Sequence, residues 1–134
     1  MNYTRKILKE QALIIEHISG EVTLQEMVIK TQEMFDLPDY DPTYNGVIDL
    51  RDAQAQMSKV ELYGFANFLN QSELFGHAKW AIIADDPLVV ALAMIFQQRI
   101  LDSNQIGIFN TVGAAANFIG KLEIHDYVED YGCV

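Results

Sequence analysis

At 134 residues, half of them hydrophobic, with a formal charge of −10, the chain is long enough to bury one core and too short for two ordinary domains, and its apolar content excludes global disorder. Nineteen acidic residues against nine Lys and Arg exclude the basic surface that a nucleic-acid partner needs, and they equally disfavour adsorption to anionic lipid. The one cysteine, Cys133, leaves no disulfide framework and no thiolate metal site, which fits a reducing cytoplasm.

The basic residues Arg5, Lys6 and Lys9 are not followed by the apolar region of a secretion signal. Arg5 to Glu10 and Ala12 to Ser19 read as two strands with only a residue or so between them, an antiparallel hairpin at one sheet edge. The charges on Lys6, Lys9 and Glu10 suit an edge that must resist pairing with another chain. Gly20 breaks the pattern. Thr23-Leu24-Gln25-Glu26 then has capping-box spacing, and Leu24, Met27, Val28, Thr31, Met34 and Phe35 share one face of the helix that follows. Two prolines and several turn formers make Leu37 to Gly46 a loop.

Val47 to Leu50 is predicted as a short third strand, with a polar connection from Arg51 to Met57. Ser58-Lys59-Val60-Glu61 is a second capping box, opening a helix with a core stripe of Leu62, Phe65, Ala66 and Leu69 that closes by Gly76-His77. Lys79 to Asn110 is one β-α-β unit. Trp80 to Ala84 is an unbroken apolar run, the pattern of a strand covered on both faces. Asp86 caps the next helix and Pro87 opens it, because a cap carboxylate satisfies free N–H groups and proline has none to satisfy. That helix runs to Leu101, and Ile106 to Phe109 is the next strand, parallel to its predecessor across a right-handed crossover. Asn110 or Thr111 caps a last, alanine-rich helix ended by Gly120.

The result is one α/β domain over residues 1–120, a mixed sheet of about five strands with an N-terminal antiparallel hairpin and four helices, followed by an acidic tail over 121–134. In the tail, Ile124, Tyr127, Val128 and Tyr131 fall at helical spacing.

This order of elements, with Asn45-Gly46-Val47-Ile48-Asp49-Leu50-Arg51-Asp52, Lys79 to Pro87, and Ile106 to Asn110 before an alanine-rich helix, resembles the SpoIIAA-like proteins, relatives of the STAS domains of anti-sigma factor antagonists. The likeness runs from about residue 12 to 121. It implies a STAS-like fold in a small bacterial protein, in a group whose function is largely undefined. In the antagonists, a serine in an Asp-Ser-x-Gly type motif, at the start of the helix after the third strand, is phosphorylated to control partner binding. The corresponding place here is Met57-Ser58-Lys59-Val60, with the serine present and the flanking Asp and Gly absent. A fainter likeness extends to the CRAL-TRIO lipid-carrier fold.

Three groups of residues are candidates for function. Ser58 is a phosphorylation candidate, since a helix N-terminus stabilises a phosphate, although Ser58 with Glu61 is already a complete cap. Asp49, Asp52, Asp85, Asp86 and Asn110 lie near the C-terminal ends of parallel strands, where open α/β sheets bind ligands. Carboxylates there could hold Mg²⁺ for phosphoryl transfer, or could simply cap, pair with Arg51 and face solvent. The helix from Leu88 to Phe96 is apolar nearly all round and asks for cover beyond the sheet. Its Val89, Leu92, Ala93 and Phe96 are candidates for packing against a neighbouring helix or the tail, for a subunit interface, or for a slot taking a small apolar ligand such as a lipid. His17, His77 and His125 have no metal-ligand spacing, and no Walker, dinucleotide or nucleophile-elbow motif occurs. The expectation is a non-enzymatic module without metal or cofactor, binding a protein partner or itself.

Overall fold

The computed structural model describes residues 1–129, so Tyr131 and Cys133 lie outside the described residues. The elements are β1 (Asn2–Leu8), β2 (Leu13–Val22), α1 (Leu24–Phe35), β3 (Asn45–Ala55), α2 (Lys59–Asn70), β4 (Trp80–Ile83), α3 (Pro87–Arg99), β5 (Ile106–Phe109) and α4 (Val112–Ile119). Short 3-10 turns lie at Lys9–Gln11, Ser103–Gln105 and Leu122–Asp126. One five-stranded sheet has the order β1-β2-β3-β4-β5. β1 is antiparallel to β2, and every later pair is parallel.

That order decides where the helices go. From β2 onward each strand is added on the same side of the last, and right-handed crossovers in a constant direction place their helices on one face. α1, α2 and α3 accordingly pack on the face bearing Ile14, Trp80, Ile82 and Ile106. The other face, with Leu13, Ile15, Val47, Ala81 and Ile83, is left for α4 and the segment after it. The odd and even positions of each strand thus meet different layers, which is why β4 is buried along its whole length. Ile124 and Val128, beyond Gly120, are buried in the α4 layer, so the segment after α4 covers the sheet opposite α3 and gives α3 no cover.

The helix starts follow their caps. Ser58 Oγ accepts from the Glu61 N–H at 3.1 Å and Glu61 Oε1 accepts from the Ser58 N–H at 3.0 Å, while Asp86 Oδ2 accepts from Leu88 and Val89 N–H. At α1 the Thr23 hydroxyl accepts from Glu26 N–H, but Glu26 Oε1 accepts from that hydroxyl and not from the Thr23 N–H, so the box is only half made. Thr111 caps α4, and Gly120 ends it in the left-handed region at φ 80°.

Several boundaries differ from the sequence-based expectation. β1 begins at Asn2 and stops at Leu8. β2 continues through Gly20, at φ 80°, to Val22. α2 stops at Asn70 and α3 at Arg99. The largest change is in β3, which runs on to Ala55 where a polar connection was expected. Beyond Asp49 it pairs only with β2, and there His17 opposes Asp49 while Ser19 opposes Asp52. Two β3 residues, Leu50 and Arg51, thus stand where β2 has only Ile18. Such a bulge inverts the alternation after it, bringing Ala53 to the helix side and Asp52 beside His17.

Candidate functional site

The sequence-derived residues fall in two places. The first is the edge where β4 and β5 end and α2, α3 and α4 begin. Ser58 is exposed there and engaged in its capping box. Asp85 and Asp86 are exposed after β4, with Asp86 serving the α3 cap, and Asn110 is exposed after β5. Asp49 and Asp52 are not at a strand end, because β3 continues past both. Asp49, 3% exposed, faces the α4 layer, where its two oxygens accept from Arg51 Nε and Nη2, both at 2.9 Å, and Oδ1 also accepts from the Arg51 N–H. Arg51 Nη2 donates further to the carbonyl of Glu129, tying the segment after α4 to the sheet. Asp52 is exposed, with His17 Nε2 2.8 Å from its carboxylate. Among the described residues no three His, Cys, Asp or Glu are gathered to hold a metal ion, and Asp49, Asp52 and Asp86 are each engaged with a different partner.

The second place is under the helices. α2 and α3 are locked together: Phe65 stacks on Phe96 at 5.7 Å, Arg99 lies over the Tyr63 ring at 3.7 Å, and Asn70 donates to the Arg99 carbonyl at 2.8 Å. α1 is tied to the hairpin instead, through Arg5 Nη2 donating to the Lys30 carbonyl at 2.8 Å. β3 lies beneath the division between these two groups. A cavity of about 150 Å³ results, walled by Met27 and Met34 of α1, Leu62 and Phe65 of α2, Ile48 and Leu50 of β3, and Val89, Leu92, Ala93 and Phe96 of α3. The four α3 residues singled out in the sequence therefore share one wall.

Glu16 also lines the cavity. Its side chain is 10% exposed and 3.7 Å from Arg5 Nε, which already donates to the Tyr3 hydroxyl at 2.9 Å. At that separation the attraction does not repay desolvation, and burial pushes the carboxyl up to about 8. Burial also lowers the Arg5 pKa from its ordinary value. Sequence reading missed Glu16 as a functional residue. The available signal was one acid within Leu13-Ile14-Ile15-Glu16-His17-Ile18, a strand apolar on both sides.

A five-stranded mixed sheet with three crossover helices on one face and one helix on the other is the STAS fold of SpoIIAA and its relatives, as the order of elements led us to expect. Among solved structures, the chain is similar to an anti-sigma factor antagonist from Mycobacterium paratuberculosis, with a TM-score of 0.54 over 90% of this chain and 96% of that one, at 16% sequence identity. No family model and no curated protein matches the sequence. Among the described residues no helix is long and apolar enough to cross a membrane.

Proposed function

We propose that the chain is a non-enzymatic regulatory module that docks on another protein at the edge where α2 and α3 begin. The observation that carries this reading is apolar surface in the first turns of two neighbouring helices: Val60 is 76% exposed and Leu88 59% exposed, where each could have been polar without cost to the helix. The likeness to an anti-sigma factor antagonist, which by its name acts on another protein, supports it. Glu61, Asp85 and Asp86, all exposed, neighbour the apolar residues in sequence and outnumber the exposed Lys59 beside Val60, so the partner surface is apolar at its centre and basic at its rim. A second copy of the chain would bring its own −10 against this edge, which favours a different protein over self-association. Phosphorylation of Ser58 would act here, adding up to about two negative charges beside Val60.

The test starts from a photo-crosslinker at position 60, which identifies the partner in the source cells. The purified partner is then titrated with Val60→Asp, Leu88→Asp and, on the α4 side, Leu122→Asp. An aspartate in the first turn of a helix suits the helix dipole, so lost binding would not reflect a lost fold. The first two variants should weaken binding roughly tenfold or more, as expected when a buried apolar anchor is replaced by a charge, and the third should leave it unchanged. Equal affinity for all three would refute the reading.

A further inference from the structure

Ile48 and Leu50 stand on the middle strand of the sheet, under the helical layer, yet each is only half-buried. A fold of this size ordinarily closes that position completely, since interiors hold few voids larger than a water molecule. Here the division between α1 and α2 leaves the cavity of about 150 Å³. Its walls are almost entirely carbon, so it offers water too few partners to be a hydrated pocket. The exception is Glu16, whose side chain is nine-tenths buried and accepts no hydrogen bond among the described residues; Arg5 Nε, at 3.7 Å, is within ion-pair range but beyond hydrogen-bond range. Buried polar groups are almost always satisfied by protein or solvent. A carboxyl left this way on the wall of an apolar space is a group awaiting a partner from within that space.

We propose that the cavity binds a small apolar molecule carrying one hydrogen-bonding group, with α1, α2 and α3 enclosing the carbon skeleton and Glu16 fixing its orientation. The volume sets the class: a space of about 150 Å³ holds a ring of six or so heavy atoms, and a fused pair with slight opening of the helices. The carboxyl sets the polar group, because a protonated carboxyl both donates and accepts while a carboxylate accepts only. A hydroxyl or N–H therefore satisfies it in either state. The site is separate from the partner edge, since its walls are the inner faces of the helices and Val60 and Leu88 are on the outer ones.

The experiment titrates the full chain with indole and with indene, which has the same shape and no N–H, reading backbone amide shifts by NMR. Saturable binding of indole with a Kd below about 1 mM is expected, its shifts concentrated on Leu50, Leu62, Phe65 and Ala93. Indene should bind roughly fivefold or more weakly, the worth of one hydrogen bond. Glu16→Leu should retain indene and lose the preference for indole, and Ala93→Phe, which fills the space, should lose both. No saturable binding of either compound to the wild-type chain, or shifts centred away from these residues, would overturn the site. Equal affinity for the two compounds would overturn the role of Glu16.

Discussion

Replacing Glu16 by glutamine tests the interior of the molecule through its dependence on pH. The carboxyl has an ordinary value of 4.5 and is pushed up to about 8 by burial, so at neutral pH the folded chain holds a proton that the unfolded chain has released. Between those two values the folded form binds more protons, and the folding equilibrium falls tenfold for each unit of rising pH. The favourable contribution is complete below 4.5 and gone above about 8. From about pH 5 to about pH 7 the loss amounts to roughly 3 kcal/mol. Glutamine has nearly the same shape and no proton to lose, so this component vanishes in the variant. Urea unfolding of both proteins across that range, followed by the fluorescence of Trp80, the one tryptophan and 7% exposed, measures the difference. The variant should gain on the wild-type chain by about 3 kcal/mol between the two ends of the range. Curves that stay parallel would mean that Glu16 is ionised in the fold, paired with Arg5, and that the cavity wall is charged.

Three further substitutions probe the packing. A Cβ on Gly46 would stand 2.4 Å from the Trp80 ring, its register partner across β3 and β4, so Gly46→Ala should cost about 1 to 3 kcal/mol by urea unfolding, with a shifted Trp80 emission. Arg51→Ala strips the buried Asp49 carboxylate of its bidentate partner and should destabilise by about 3 to 5 kcal/mol; a loss under 1 kcal/mol, roughly the worth of an exposed pair, would contradict the placement. Ile124, fully buried against α4, should cost about 2 to 5 kcal/mol on replacement by alanine, whereas a freely moving tail would show no change in thermal melting.

Much of the fold is legible because the local signals agree with one another. The apolar run at Trp80 to Ile83, the Ser58–Glu61 box and the Asp86-Pro87 start each carry their own mechanism, and each stands where its residues place it. β3 exceeds its predicted length because Arg51, Asp52 and Gln54 look like loop residues. The bulge at Leu50 and Arg51 inverts the alternation, so no single period-two pattern runs through the strand. Topology explains the segment after α4: the three crossover helices occupy one face, α4 is two turns long and leaves part of the other uncovered, and Ile124 and Val128 fill it. The helical spacing of those two residues was visible, but their destination depends on the handedness of crossovers far away in sequence.

The candidate site was legible in part. Val89, Leu92, Ala93 and Phe96 stood out because a helix apolar all round needs a second contact, and they do line one wall. The cavity itself was not visible, since it depends on how α1 is held to the hairpin by Arg5 and α2 to α3 by Asn70, Tyr63 and Phe65. The pairing of Asp49 with Arg51 was legible from their spacing and is present, but the turning of both towards α4, away from Asp85 and Asp86, was not.

Hydrogen exchange of the purified complex, compared with the free chain, maps where the partner sits. Docking at the acidic, apolar edge predicts slowed exchange over residues 58–62 and 86–92 with the amides of 112–126 unaffected. Slowing confined to α4 and the turn after it would place the partner on the opposite face, and the proposed mode of action would be wrong.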